Sequence, residues 1–149
     1  WLDQLNEDLR RALPGNRFIS MAFAIAHPET DDLMFVSAGH NPAVLVRGGE
    51  GELLDATGPI LGILPRQHFG HTSRVFEPGS RLIIYSDGVT DQQNSRGDAF
   101  GVERLCATIK GACRMSPSDL LIRIREHLED FAGTAAQDDD TTITVLGRD

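Results

Sequence analysis

The sequence predicts an α+β domain, an antiparallel sheet with helices packed on its faces. Three observations carry that expectation. The patterns run in the order helix, series of strands, two helices, last strand. Short clusters of Gly, Pro and Asp separate the strand patterns, as turns do. The length of 149 residues suits one domain with a substantial core.

Leu2, Leu5, Leu9 and Leu13 recur at helical spacing, with charges on the other face. Asp3 suits the N-terminal turn, and Pro14-Gly15-Asn16 stops the helix. Phe18 to Ala26 reads as a strand without charge on either face, so both faces are expected to be covered. Pro28 to Asp32 turns the chain into a hairpin partner at Leu33–Ser37. Ala38-Gly39-His40-Asn41-Pro42 breaks the pattern, and Ala43–Arg47 resumes it. Gly48 to Gly51 turns into a short strand at Glu52–Leu54. Thr57-Gly58-Pro59-Ile60-Leu61-Gly62-Ile63-Leu64-Pro65 is apolar but bracketed by Gly and Pro, a loop tucked into the body. A strand at 70–76 leads through Glu77-Pro78-Gly79-Ser80 to a further strand from Arg81.

That strand, Leu82-Ile83-Ile84-Tyr85, is apolar enough to be buried, and it runs directly into Ser86-Asp87-Gly88. A strand exit holds its side chain in place. Gly88 permits backbone angles that other residues avoid and lets a ligand approach closely. Asp-Gly taken alone also makes an ordinary turn. Near the C-terminus the order reverses: Gln137-Asp138-Asp139-Asp140 precede the β-branched run Thr141-Thr142-Ile143-Thr144-Val145. Paired antiparallel, the exit of one strand meets the entrance of the other, and the acidic groups share one end of a sheet. Gathered carboxylates repel unless a cation sits between them. All-oxygen ligation suits magnesium or manganese, and no paired Cys/His spacing favours zinc.

Gln92 to Asp98 is a polar surface loop beside these residues. A helix follows over about 102–111. Ser116-Pro117-Ser118-Asp119 opens the next, with a serine cap, proline at the first position and acid at the third. Leu120, Leu121, Ile124, Leu128 and Phe131 form its apolar stripe, and Gly133 ends it. Cys106 and Cys113, placed on one helix, would lie about 10 Å apart along its axis, too far for a disulfide. A reduced, cytoplasmic setting fits. A net charge of −8, from 22 acidic and 14 basic residues, argues against nucleic acid and offers a membrane no basic patch. No apolar run has the length of a membrane span, and no signal peptide opens the chain.

Four motifs in this order, AGHNP at 38–42, GPILGILP at 58–65, SDGVTD at 86–91 and DDDTT at 138–142, resemble the SpoIIE/RsbU group of bacterial PP2C-type serine/threonine phosphatases. The resemblance covers roughly residues 1–147. It implies an αββα sandwich of two antiparallel sheets flanked by helices. It implies hydrolysis of phosphoserine or phosphothreonine on a protein by water activated at two manganese or magnesium ions, with no phospho-enzyme. The usual substrate of the group is an anti-sigma factor antagonist. By motif position Asp87 and Asp139 match metal-binding, catalytic aspartates, with Gly88 and Asp140 just outside the ligand shell. His40 and Asn41 fit turn chemistry and an ordered hydrogen bond. Asp91 fits a loop carboxylate and Asp138 a solvated one. His27, His68, His71 and His127 carry no assigned chemistry.

The group also has an Asp-x-x-Gly motif on an early strand, whose aspartate bridges the two ions. Nothing from Trp1 onward matches it, and Asp3 and Asp8 sit in a helical pattern. The chain therefore reads as the C-terminal two-thirds of a catalytic domain without its opening strands. A strand edge left bare, such as that of Ile19, Met21, Phe23 and Ile25, would invite self-association. The competing reading is an inactive, phosphatase-like module that binds a partner. A calcium module is weaker, because no twelve-residue loop of alternating acidic ligands is present.

Overall fold

The computed structural model describes residues 1–15, 17–137 and 139–149. Asn16 of the expected helix stop and Asp138 of the acidic run lie outside the described residues. The chain forms two compact units, Trp1–Pro42 with Leu54–Val75, and Ala43–Leu53 with Phe76–Asp149. Each carries an antiparallel sheet.

The first unit opens with α1, Leu2–Ala12. Leu2 is buried with Val36, Ala38, Leu61 and Phe69, and Leu5 and Leu9 pack beside them. Three of the polar residues between these leucines, Asp3, Asn6 and Glu7, bond the backbone of a later loop. Asn6, fully buried, donates to Leu64 O at 2.8 Å and accepts from Gly62 N at 2.9 Å. Glu7 accepts from Arg66 N at 2.8 Å. Asp3 stands in the first turn as expected, without a capping hydrogen bond. It accepts from His68 Nδ1 at 2.9 Å and Phe69 N at 3.2 Å, and the His68 bond is first among the causes that hold its carboxyl below the usual value.

The expected hairpin is present as β1, Met21–His27, and β2, Asp32–Ala38, in register from Met21↔Ala38 to His27↔Asp32. The short strand β5, Thr72–Val75, completes the order β1-β2-β5. Three expectations are corrected. β1 begins at Met21 instead of Phe18, because Ile19 makes an isolated bridge to Leu61. Its residues are half-buried and not covered on both faces, as befits an edge strand. Of the 57–65 loop only Leu61 is fully buried, while Ile63 and Leu64 are exposed.

The second unit holds β3, Ala43–Arg47; β4, Glu50–Leu54; β6, Arg81–Tyr85; and β7, Ile143–Gly147. Their order is β4-β3-β6-β7. Val44, Val46, Ile83 and Tyr85 pack with Leu105 and Ile109 of α3, Gly101–Ile109, and with Leu120, Ile124 and Leu128 of α4, Pro117–Ala132. Burial of this set holds the helices against the sheet, each large aliphatic side chain contributing about 2 kcal/mol. α4 starts as the sequence predicts. Ser116 Oγ accepts from Asp119 N at 3.1 Å, Pro117 is the first helical residue, and Gly133 closes the helix at φ 58°. Leu121 leaves the predicted stripe and is exposed, since three adjacent apolar residues cannot share one helix face. Cys106 lies in α3, but Cys113 lies in a separate 3-10 turn, Ala112–Arg114. The two cysteines do not share a helix.

Tyr85 ends β6 with its hydroxyl buried and, among the described residues, without a hydrogen-bond partner. Burial, with a smaller contribution from Cys106, pushes its pKa from 10.0 to about 12. The folded-state value lies above the unfolded one, so this stabilisation is complete below pH 10.0 and is lost as pH rises to about 12. Replacing Tyr85 by Phe removes the unpartnered hydroxyl and should raise stability by about 1 kcal/mol. It should also flatten the alkaline loss. Urea unfolding of both proteins across that range checks this. An unchanged alkaline slope in the Tyr85→Phe protein would mean another group titrates there.

Candidate functional site

β6 and β7 pair antiparallel from Arg81↔Gly147 to Tyr85↔Ile143. The exit of β6 therefore meets the entrance of β7. Asp87 follows β6 as the first residue of α2, a single turn spanning Asp87–Thr90, and Asp139 and Asp140 lie just before β7. All three stand at one end of the four-stranded sheet. The sequence read Ser86-Asp87-Gly88 as a bare strand exit. The chain instead turns at once into α2, a helix too short to show periodicity.

Hydroxyls extend the strand pairing beyond the ladder. Ser86 N donates to Thr142 O at 3.0 Å, and Thr142 N donates to Ser86 Oγ at 2.9 Å. Ser86 Oγ in turn donates to Asp140 O at 2.9 Å, and Thr141 Oγ1 donates to Gly88 O at 3.3 Å. Sequence reasoning did not single out Ser86 or Thr141. The available signal was a hydroxyl residue beside each acidic motif, at the strand ends where it can satisfy backbone groups.

The two carboxylates are held alike. Asp87 Oδ1 accepts from Gly88 N at 3.1 Å, and Asp139 Oδ1 accepts from Asp140 N at 2.7 Å. Both residues are exposed, and in each the second carboxylate oxygen has no hydrogen bond among the described residues. Asp140 is also exposed, and its carbonyl carries the Ser86 contact. Gly88 departs from expectation. Its φ lies outside the left-handed region, so it is not there for an unusual backbone angle. A Cβ at this position would stand 2.5 Å from Asp140 O and 3.3 Å from Asp139 O. The close approach is real, but the approaching group is the protein's own acidic loop.

Among the described residues no three His, Cys, Asp or Glu side chains converge as a metal cluster. The carboxylates at this end of the sheet are those of Asp87 and Asp139, each with one uncommitted oxygen, and of the exposed Asp140 beside them. Such a set is hard and all-oxygen. It fits one magnesium or manganese ion that keeps several of its waters, and it does not fit zinc.

The family model Stage II sporulation protein E (SpoIIE) matches residues 1–149. The chain belongs to the SpoIIE family of PP2C-type phosphatases. Among curated relatives, protein IcfG of Synechocystis is 32% identical over 133 residues, covering 88% of this chain and 21% of its own. Phosphoserine phosphatase RsbU of Bacillus subtilis is 25% identical over 156 residues, covering 99% of this chain and 44% of its own. This SpoIIE-family chain thus spans less than half the length of either relative. The SiaA-PP2C domain of Pseudomonas aeruginosa superposes with a TM-score of 0.83 at 19% identity, over 97% of this chain and 57% of that one. The fold is that of PP2C phosphatase domains, two antiparallel sheets with flanking helices.

The AGHNP and GPILGILP motifs meet in the first unit. Gly39, at φ 60°, has no room for a Cβ against Ile60, and its N–H donates to Gly58 O at 2.9 Å. AGHNP and GPILGILP are therefore packed on each other within the first unit. His40 Nδ1 meets Ser20 Oγ at 3.0 Å, an ordered hydrogen bond as expected of it. Asp91 closes α2 and is exposed, with Thr90 Oγ1 donating to its carboxylate at 3.4 Å. No helix of the described residues is long and apolar enough to cross a membrane.

Proposed function

We propose that this chain supplies the Asp87 and Asp139 ligands of a phosphatase centre that hydrolyses phosphoserine or phosphothreonine on a protein. The single observation that carries the reading is the placement of those two carboxylates at one end of one sheet, each fixed by the N–H of the next residue. They would hold manganese or magnesium. A bound divalent ion supplies Lewis-acid polarisation of the phosphoryl group and lowers the pKa of water. The chain's own part is to keep both carboxylates exposed, Asp87 held by the N–H of Gly88 and Asp139 by the N–H of Asp140.

No protein nucleophile is needed. Cys106 is packed against the core, and burial pushes its thiol up, away from the reactive thiolate. The partner in this reading is a phosphorylated protein of the anti-sigma factor antagonist type, as the family resemblance suggests, in the cytoplasm. RsbU, a relative named as a phosphoserine phosphatase, supports the phosphoserine half. The bridging aspartate of the two-ion centre would come from outside residues 1–149. The thin donor set keeps a second reading in view, an inactive module that binds a partner.

Purified full-length protein should release phosphate from phosphoserine and phosphothreonine proteins when manganese is added. It should act poorly on a matched phosphotyrosine substrate. No turnover with any of the three would favour the binding module, and a phosphotyrosine preference would contradict the substrate class. Residues 1–149 alone should take up at most one manganese ion, weakly, in a calorimetric titration. Two tight sites there would show the ligands to be misplaced.

A further inference from the structure

Gln92 is a buried amide inside an otherwise polar, mostly exposed loop. It is 6% exposed, although the sequence places it at the surface. Its backbone is anchored to the core. Gln92 O accepts from Phe100 N at 2.8 Å, and Phe100 is buried edge-on against Phe131 of α4 with ring centres 5.3 Å apart. The next pair, Gln93 and Ala99, closes the loop as a β-bridge. The Gln92 side chain then reaches out of this frame. Its Nε2 donates to Gln93 O at 2.9 Å and to Ala136 O at 3.2 Å.

Ala136 lies in the connection between α4 and β7, the same connection that carries Asp139. That connection is held at its far end by Ser86 and internally by Gln137 Nε2, which donates to Asp139 O at 2.8 Å. Bordering it is an open cavity of about 400 Å³, lined by Gln92, Arg125, Leu128, Glu129, Gln137 and Thr141 among others. A segment with open space beside it lacks the packing contacts that normally fix a backbone. The Gln92 amide lines that space and links the core to the acidic connection.

We propose that Gln92 is a positioning residue for Asp139, a strut that sets where the acidic connection stands over the cavity. The proposal rests on the reading of Asp139 as a metal ligand. The hydrogen bonds of the Gln92 amide go to Gln93 O and Ala136 O and not to either aspartate. It acts through Ala136 O on the segment leading to Asp139, as an outer hydrogen bond orients a ligand. Without the amide, the connection relaxes toward the cavity and Asp139 loses its fixed aim.

The test uses the full-length protein and three variants: Gln92→Met, which keeps the shape but removes the donor; Gln92→His, whose Nε2–H offers a donor at similar reach; and Asp139→Asn. Manganese affinity is measured by calorimetry, amide hydrogen exchange of residues 139–142 by mass spectrometry, and kcat against manganese concentration in an assay. Gln92→Met is expected to weaken manganese binding about tenfold. It should speed exchange in that segment while kcat at saturating manganese changes less. Gln92→His should recover most of the affinity. Wild-type affinity and exchange in Gln92→Met, with binding lost in Asp139→Asn, would overturn the strut and leave the metal reading standing. Undiminished manganese affinity in Asp139→Asn would overturn the metal reading and the strut with it. A fall in thermal midpoint and kcat together, unrelieved by Gln92→His and without a shift in manganese dependence, would mark a merely structural role and also overturn it.

Discussion

Asparagine at position 87 or 139 of the full-length protein is expected to lower manganese-dependent phosphatase activity by at least about a hundredfold, more than loss of an outer-shell partner costs. Each change removes one charge and one hard oxygen ligand while nearly keeping the shape. Stability should move by less than about 0.5 kcal/mol, the usual range for exposed positions. The structure gives the reason. Both aspartates are exposed, and their described hydrogen bond is to the following N–H, which an asparagine carbonyl accepts equally well. The experiment pairs initial rates on a phosphoserine protein with urea unfolding of each variant. Activity within a few fold of wild type in either variant would remove that residue from the centre.

Gly88→Ala should act through a different route. Glycine here has an ordinary φ, so alanine meets no backbone penalty. The added methyl instead stands 2.5 Å from Asp140 O and 2.9 Å from Asp140 C, and main chain cannot rotate away as a side chain does. The acidic connection must shift, disturbing the Thr141–Gly88 and Ser86–Asp140 hydrogen bonds. A destabilisation of about 1–3 kcal/mol is expected, as for other overpacked sites. Manganese affinity should fall with it, because Asp139 moves with Asp140. Full affinity and full stability in this variant would show that the connection yields freely, and that Gly88 does not brace it.

Much of the fold was legible because its signals are local. The leucine spacing of α1, the hairpin of β1 and β2, and the Ser116-Pro117-Asp119 start of α4 each depend on neighbours within a few residues. The shared end of Asp87 and Asp139 was legible too, since two strands of opposite polarity around acidic runs meet in one way if they pair. What escaped depends on distant partners. Ile19 leaves β1 for a bridge to Leu61, and Leu121 is exposed although it is as apolar as Leu120. Gln92 looks like any loop glutamine until Phe100 anchors it, and Gly88 gives no sign in the sequence that its missing side chain makes room for Asp140.

The pairing that assembles the acidic end also dictates when it can exist. Tyr85 and Ile143, which face each other, are 143 − 85 = 58 positions apart in the chain. Closing a loop of that length costs roughly 4 kcal/mol of entropy before its contacts repay it. β7 is moreover the outermost strand of its sheet, with β6 as its strand neighbour. Asp87 and Asp139 therefore come together only when this long-range pairing closes. Ile143 and Val145 of β7 pack against the core of this unit, so the acidic end stands or falls with the core beneath it.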